Sequence, residues 1–275
     1  MSFPSSSRDP RRLIRTACWL AAALLAATAC PAEDWPGHER LTRDQVLSVL
    51  AKTAPGAIPD LYSKNLSNLD LSGIDFRGAN LSAAVLNGSR LVGAGLAKTN
   101  LTVSFLERAK LAGADLRGAE LFSAQMAGSD LSGANLAGAR LIADLNNALL
   151  KGAILTGMNA AADMKNQSMG LMHTVAASAD LSGADLSGSD FSRADFSFAR
   201  LAGARFVGTV AYAADFSGAD LRQADMRDAR LVEAKFIDTD LTDADLSGAD
   251  LSGAVFRNTR GLATVRRDHT KGLPE

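Results

Sequence analysis

The sequence predicts an all-β solenoid, a chain wound into stacked coils of four five-residue sides. Three observations carry that reading. A large apolar residue recurs at every fifth position from Leu66, Leu71, Phe76 and Leu81 onward to Leu141. It recurs again from Leu181, Leu186, Phe191, Phe196 and Leu201 to Phe256, with only Ala211 breaking the run. Two residues before nearly every apolar centre stands a small residue, as at Ala79, Ala84, Ser89, Ala94, Thr99 and Ser104. The word ADLSGADLSG is spelled out twice, at Ala179–Gly188 and Ala244–Gly253. A period of five matches neither a helix of 3.6 residues per turn nor a strand of two. It matches a chain that turns a corner every five residues and closes a coil after four. The large residue fills the centre of each side and the small one lies inward where room is short. Asp, Ser and Gly then face water, with glycine easing the corners. A single coil cannot bury its own interior, whereas stacked coils share one core and pair their backbones as a parallel sheet does, about 4.8 Å apart.

Before the repeat come two other segments. Residues 1–32 have the layout of a secretory signal: Arg8, Arg11, Arg12 and Arg15 precede an apolar stretch from Ala17 to Ala29, too short for a stable membrane anchor. Two processing routes stay open. Cys30-Pro31-Ala32 allows cleavage before Glu33, and LLAATAC is similar to a bacterial lipobox, which would make Cys30 the lipidated first residue. Both cysteines, Cys18 and Cys30, fall here, so the exported chain holds no internal disulfide and no cysteine-based metal site or nucleophile. The whole chain has 29 basic and 30 acidic residues. Removing residues 1–32 takes away four basic groups and one acidic, leaving 25 against 29 and a net charge of −4, which argues against a globally basic nucleic-acid binder.

Residues 33–61 do not repeat. RLTRDQVLSVLAK places Thr42 three residues before Gln45, the spacing of a capping box, and then Val46, Leu47, Val49 and Leu50 on one face of a helix. Pro55, Gly56 and Pro59 end it. A short N-terminal capping helix over the open end of the solenoid is expected.

The two arrays hold sixteen apolar centres each, hence about four coils apiece. Between them the rhythm fails over about 142–178. Leu145 follows Leu141 by four, Leu150 and Leu155 resume the fives, and no clean centre follows until Leu181. Forty residues separate Leu141 from Leu181, which predicts one register on both sides and distorted coils, or a protruding loop, within a continuous rod. Residues 260–275 do not repeat and are expected to cap the far end loosely or fray.

The words ADLSG, ANLAG and ADLRG over roughly Leu61–Thr259 resemble the pentapeptide repeat family. The resemblance implies a right-handed quadrilateral parallel β-helix for residues 62–259. It also implies a second functional reading, because some members of that family imitate duplex DNA in size and charge and bind DNA gyrase.

Positions twenty apart should stack. That puts Asp180, Arg200, Asp220 and Asp240 in one column and Asp185, Arg205, Asp225 and Asp245 in another, with each arginine between two carboxylates. From Tyr62 to Leu141 there are eight basic and six acidic residues, net +2; from Asp180 to Phe256 there are seven and fourteen, net −7. Val85 and Phe105 share an outward column, Tyr212 and Val232 another with Ile237 nearby, and these are the candidate partner contacts. The remaining candidate site is DMKNQSMGLMH. There Met164, Met169, Met172 and His173, with Met158 upstream, supply thioether and imidazole groups suited to Cu(I), while the plainer account has flexible methionines filling an irregular interior.

Catalytic constellations do not emerge. His38, His173 and His269 lie in three separate non-repetitive segments, and the recurrent carboxylates follow from the repeat itself. No phosphate-binding loop or zinc motif is present, and no cofactor is expected. The sequence therefore reads as an exported, non-catalytic binding or scaffold rod of the cell envelope, in the periplasm or lipid-anchored. Its partner would be another protein and not nucleic acid. The alternatives are gyrase binding by DNA mimicry and copper handling.

Overall fold

The computed structural model describes residues 35–162 and 173–274. The signal segment, Cys30, Met164, Met169 and Met172 lie outside the described residues.

Helix α1, Arg43–Lys52, begins where the capping box predicts. The Thr42 hydroxyl accepts the Gln45 N–H at 3.3 Å, and the Gln45 side chain accepts the Thr42 N–H at 2.7 Å. Val46 is buried, with Val49 and Leu50 packed beside it on the core, while Leu47 points to solvent. The helix and the residues before it also close the open edge of the first coil. Asn65 donates to the Glu39 carbonyl and accepts from Leu41 N–H, and the Arg40 and Arg43 guanidinium groups reach the carbonyls of Ser67 and Asp70. An unpaired ladder edge would invite strand addition, and this one is taken up by the chain itself.

From Leu61 each side of the coil has one plan. The apolar centre points inward; the next two residues form the corner, the second of them in the left-handed backbone region, as at Gly73 with φ 66. The centre's carbonyl accepts the N–H three residues on, closing the corner, as in Ala84 N–H to Leu81. The residue before each centre pairs in parallel with its counterpart one coil away, as in Asp70↔Arg90↔Lys110↔Asp130. Where pairing extends over consecutive residues it forms short strands: β1 (Glu120–Gln125) beside β2 (Arg140–Asp144), with a register shift between Phe122 and Gln125, and β3 (Lys235–Ile237) beside β4 (Val255–Arg257). These are the sides of the right-handed quadrilateral β-helix that the family resemblance implies.

The middle resolves into one continuous stack with two irregular coils. Leu141 stacks on Ala160 and Ala160 on Phe191, steps of 19 and 31 residues. One coil therefore lacks a residue and the next carries eleven extra between Ala160 and Ala176. The lost residue and the eleven added cancel to a multiple of five, so the spacing of forty between Leu141 and Leu181 misleads. The two lie on different sides of the coil, and Leu181 stacks on Leu150 instead. Thr174 repairs the break. Its buried hydroxyl donates to the Leu141 carbonyl at 2.6 Å and lies 3.0 Å from that of Ala160.

The far end also differs from expectation. The ladder runs past Thr259 through Arg260↔Asp240, Arg266↔Asp245 and Lys271↔Asp250, so residues 260–271 form a last coil. Their carbonyls accept the amides of Leu241, Leu246 and Leu251. This coil has Gly261 and Gly272 where apolar centres would stand, and Val265, Leu262 and Leu273 lean over the core instead.

Candidate interaction faces

The most repeated polar residue serves the corners. In side after side the Asp before the centre accepts the backbone N–H two residues on, as in Ser72 N–H to Asp70 Oδ1 at 3.1 Å and Ser192 N–H to Asp190 Oδ1 at 2.9 Å. Asn80, Asn100 and Asn135 do the same where the word carries Asn. This is the local chemistry behind the A(D/N)LSG word, and reading the position only as outward-facing missed it. It also sets the protonation of the faces. The Ser72 hydroxyl and N–H hold the Asp70 carboxyl below its usual value, and the Arg77 and Arg222 guanidinium groups do so for Asp75 and Asp220.

The charge columns form in part. Arg205 lies between Asp185 at 3.4 Å and Asp225 at 3.9 Å, as expected. Arg200 approaches Asp180 at 3.8 Å, while Asp220 is held by Arg222 at 2.7 Å in its own corner. Asp240 and Asp245 meet Arg260 and Arg266 of the last coil, at 3.3 and 3.7 Å. A cleft of 540 Å³ opens on this face between the corners bearing Gln223, Asp225, Arg227, Asp243, Asp245 and Arg266. Two of its three carboxylates, Asp225 and Asp245, are already paired with arginine.

Of the predicted partner contacts, Val85 and Phe105 are covered by the chain itself. Residues 35–40 run up this side, with Trp35 over Phe105 at 4.7 Å between ring centroids and His38 edge-on to Phe105 at 6.5 Å. Val85 is left with 0% exposure. The covering residues sit some fifty to seventy positions away in sequence, so no local signal announces them. Ile237 stands at a different corner from Tyr212 and Val232, in the corner column of Ser197 and Ser217. Phe198, 68% exposed, lies against Gly218 with φ 58, a backbone region costly for an aromatic residue.

Tyr212 and Val232 do share a column, and the structure extends it. Backbone pairing brings Tyr62, Phe122, Ile142, Tyr212 and Val232 to one corner of successive coils, at the position that is Ser82, Thr102, Ser192 or Ser252 in the coils between. Arg140 stands over the Phe122 ring at 5.0 Å and Arg193 over Tyr212 at 5.6 Å. The Tyr212 hydroxyl donates to Glu233 at 2.6 Å, and that bond raises its pKa. Tyr62, Phe122 and Ile142 share a column by spacing of twenty, but their link to Tyr212 and Val232 escapes sequence reasoning because the irregular coils lie between.

His173 is partly exposed beside Thr174, and its predicted thioether partners lie outside the described residues. Among the described residues no group of three or more His, Cys, Asp or Glu side chains could hold a metal ion, and no helix is long and apolar enough to cross a membrane.

The chain is similar to several known proteins. HetL, a pentapeptide repeat protein involved in heterocyst differentiation regulation from the cyanobacterium Nostoc sp. strain PCC 7120, is 29% identical over 80% of this chain and 94% of its own, with a TM-score of 0.38. Rfr23 from the cyanobacterium Cyanothece 51142 is 24% identical over 45% of this chain and 90% of its own, with a TM-score of 0.37. QnrB1, a plasmid-mediated fluoroquinolone resistance protein, is 16% identical over 68% of this chain and 88% of its own, with a TM-score of 0.41. No curated protein matches the chain. The family model "Pentapeptide repeats" matches in eight copies over residues 65–102, 106–138, 171–193, 177–210, 189–228 and 224–258. With more than half of its residues matched and the coil geometry that the repeat dictates, the chain belongs to the pentapeptide repeat family.

Proposed function

We propose that this chain is an exported, non-catalytic rod that binds another protein of the bacterial cell envelope. The observation that carries the reading is the commitment of its carboxylates. The Asp and Asn side chains that could have made reactive clusters cap corners or pair with arginine, as at Asp190, Asp220 and Asp225. A surface so employed offers shape, charge and apolar edges for docking and little for chemistry. Membership in the family supports the same reading, and the signal layout of residues 1–32 supports the address.

Cell fractionation with the intact mass of the mature protein tests the address. A membrane or periplasmic product beginning near Cys30 or Glu33 is expected, and a full-length cytoplasmic product would overturn it. Photo-crosslinking from Tyr212 in cells tests the binding role. A discrete protein adduct is expected, and its absence from Tyr212 together with its absence from the opposite corner at Ala202 would count against docking. The acidic second array favours one competing reading, gyrase binding, and inhibition of gyrase by the purified mature chain would bring it forward.

A further inference from the structure

Phe198 holds a place that the fold does not call for. In its corner column the second corner residue of the other nearby coils is Ser178, Gly218, Asp238 or Asn258, small or polar side chains suited to the left-handed backbone. Phe198 takes the same backbone with its side chain 68% exposed, so it strains the chain and buries little in return. Its ring lies over the next corner and leaves no room for a Cβ at Gly218. Ile237, half-buried, stands at this corner one coil further on. The corner thus carries apolar side chains across three coils spaced about 4.8 Å apart. An apolar strip kept exposed at a cost to the fold is suited to contact outside the chain.

The charges around the strip select the kind of partner. On this corner and the two sides that meet in it, from Asp180 to Asp240, six carboxylates stand with two cations, Arg200 and Lys235. Lys235 meets Asp215 at 3.1 Å and Arg200 meets Asp180 at 3.8 Å. Asp195 accepts the Ser197 N–H and Asp238 accepts the Asn258 side-chain N–H, and among the described residues neither enters an ion pair. The ring also lacks a cation. At the neighbouring corner Arg140 stands over Phe122 and Arg193 over Tyr212, while among the described residues no arginine or lysine stands over Phe198. A second copy of this rod, a nucleic acid or an anionic bilayer would bring like charge to this edge. A cationic segment would bring the complement.

We propose that Phe198, Ile237, Asp195 and Asp238 form a docking edge for a basic segment of a partner protein, with an arginine guanidinium over the Phe198 ring, in reach of the two carboxylates, and an aliphatic neighbour against Ile237. The proposal rests on the binding role above and gives it a place and a partner chemistry. A planar guanidinium is attracted to the face of an aromatic ring and pairs with carboxylates through its edge, so one side chain meets both features. The same contact accounts for a phenylalanine where asparagine or glycine would make the more stable corner.

Fluorescence anisotropy at low ionic strength reads the contact, with purified protein and the fluorescein-labelled peptide Gly-Arg-Leu-Arg-Leu-Arg. That peptide is expected to bind at least about tenfold more tightly than its glutamate counterpart. Phe198→Asn should weaken it at least about threefold. This variant relaxes the corner, so a Tm that holds or rises separates lost binding from lost fold. The double variant Asp195→Asn, Asp238→Asn keeps both acceptor oxygens and should also weaken binding about threefold. Tyr212→Ser, in the column where Ser192 and Ser252 stand, should leave binding unchanged. No loss from Phe198→Asn, or an equal loss from Tyr212→Ser, would overturn the site. In cells, a photo-crosslinker at Phe198 should yield an adduct whose peptide bears Arg or Lys beside the linked residue, and a peptide without either would overturn the partner chemistry. Adducts from Tyr212 or Ala202 with none from Phe198 would overturn this edge and leave the binding role standing. None from any of the three would overturn both.

Discussion

The two arrays obey one five-residue rule and solve it differently. The first fills its core with leucine, as in the column Leu66, Leu86 and Leu106, and pairs nearly balanced charge outside. The second fills the continuation of that column with Phe196, Phe216, Phe236 and Phe256, whose rings stack at 5.2–5.3 Å between centroids with planes 7–9° apart. Phe191 and Phe206 meet the stack edge-on, and the Phe206–Phe216 contact brings rings to the coil in which Ala211 leaves a side short of volume. Aromatic stacking repeats at the coil spacing and so locks one coil over the next, while leucine interdigitates without a fixed angle. The lesson is that the rule specifies only large or small at each place. Which large residue fills it sets how each coil couples to its neighbour, and coupling between neighbours is what stabilises a solenoid.

Replacing a stacked ring should break the comparison most. Phe216→Ala removes contacts on both the coil above and the coil below and is expected to cost about 3–5 kcal/mol, with a Leu106→Ala change at the lower part of a 2–5 kcal/mol range. Hydrogen exchange should show loss of protection spreading over residues 191–250 in the first variant and confined to adjacent coils in the second. Equal effects would mean the stack contributes only buried area.

Acid should then separate the arrays. Carboxyls held below their usual value number three in the first array, Asp70, Asp75 and Asp115, against Asp180, Asp215, Asp220, Asp225, Asp240 and Asp250 in the second. At Asp215 burial works the other way and is outweighed by bonds from Ser217 and Lys235. A carboxyl with a folded pKa below its unfolded one stabilises the fold at higher pH, and that contribution is lost as pH falls below about 4. Asp220 repels Asp240, but more weakly than Thr242 and Arg260 favour the charged form. The second array should open first between about pH 4 and pH 2, read by hydrogen exchange or by Phe side-chain signals.

The junction decides whether the arrays melt together. Thr174→Val keeps the shape and strands the carbonyls of Leu141 and Ala160, at an expected cost of about 1–3 kcal/mol. Calorimetry should then resolve two transitions where a single one is expected of the native chain. Smaller and opposite in sign is Phe198→Asn. It gives the φ of 58 to a residue that adopts it readily and should gain about 0.5–1 kcal/mol, visible as a raised Tm.

Most of this architecture was legible because the repeat writes side-chain size directly into sequence. The capping box at Thr42 and Gln45 and the centres from Leu66 to Leu141 needed only local spacing. What escaped reading was non-local or lacked apolar centres. The eleven added residues preserved the count modulo five while moving every later centre by two sides, so Leu141 and Leu181 looked stacked and are not. The last coil carries its ladder on Arg260, Arg266 and Lys271, residues with no hydrophobic signature. Val85 looked exposed because nothing near it in sequence announces that residues 35–40 run along its side. Of the candidate site, the Tyr212–Val232 column was readable and its extension to Tyr62 and Phe122 was not, since that depends on knowing the coil lengths between them.

The smallest effect separates the two duties of aspartate. Asp225 accepts the Arg227 N–H at its corner and also meets the guanidinium groups of Arg227 at 2.7 Å and Arg205 at 3.9 Å. Asn in its place keeps an oxygen for the corner, as Asn100 and Asn135 do in the first array, and gives up only the charge. Partly exposed pairs contribute little, so Asp225→Asn should change stability by no more than about 0.5 kcal/mol. Asp225→Ala loses the corner bond as well and should cost about 1 kcal/mol more. A urea titration of the two variants beside the native chain measures the gap. If Asn proves as costly as Ala, the second array owes its Asp-rich surface to ion pairing and not to its corners. Its charge would then be built for stability as much as for a partner.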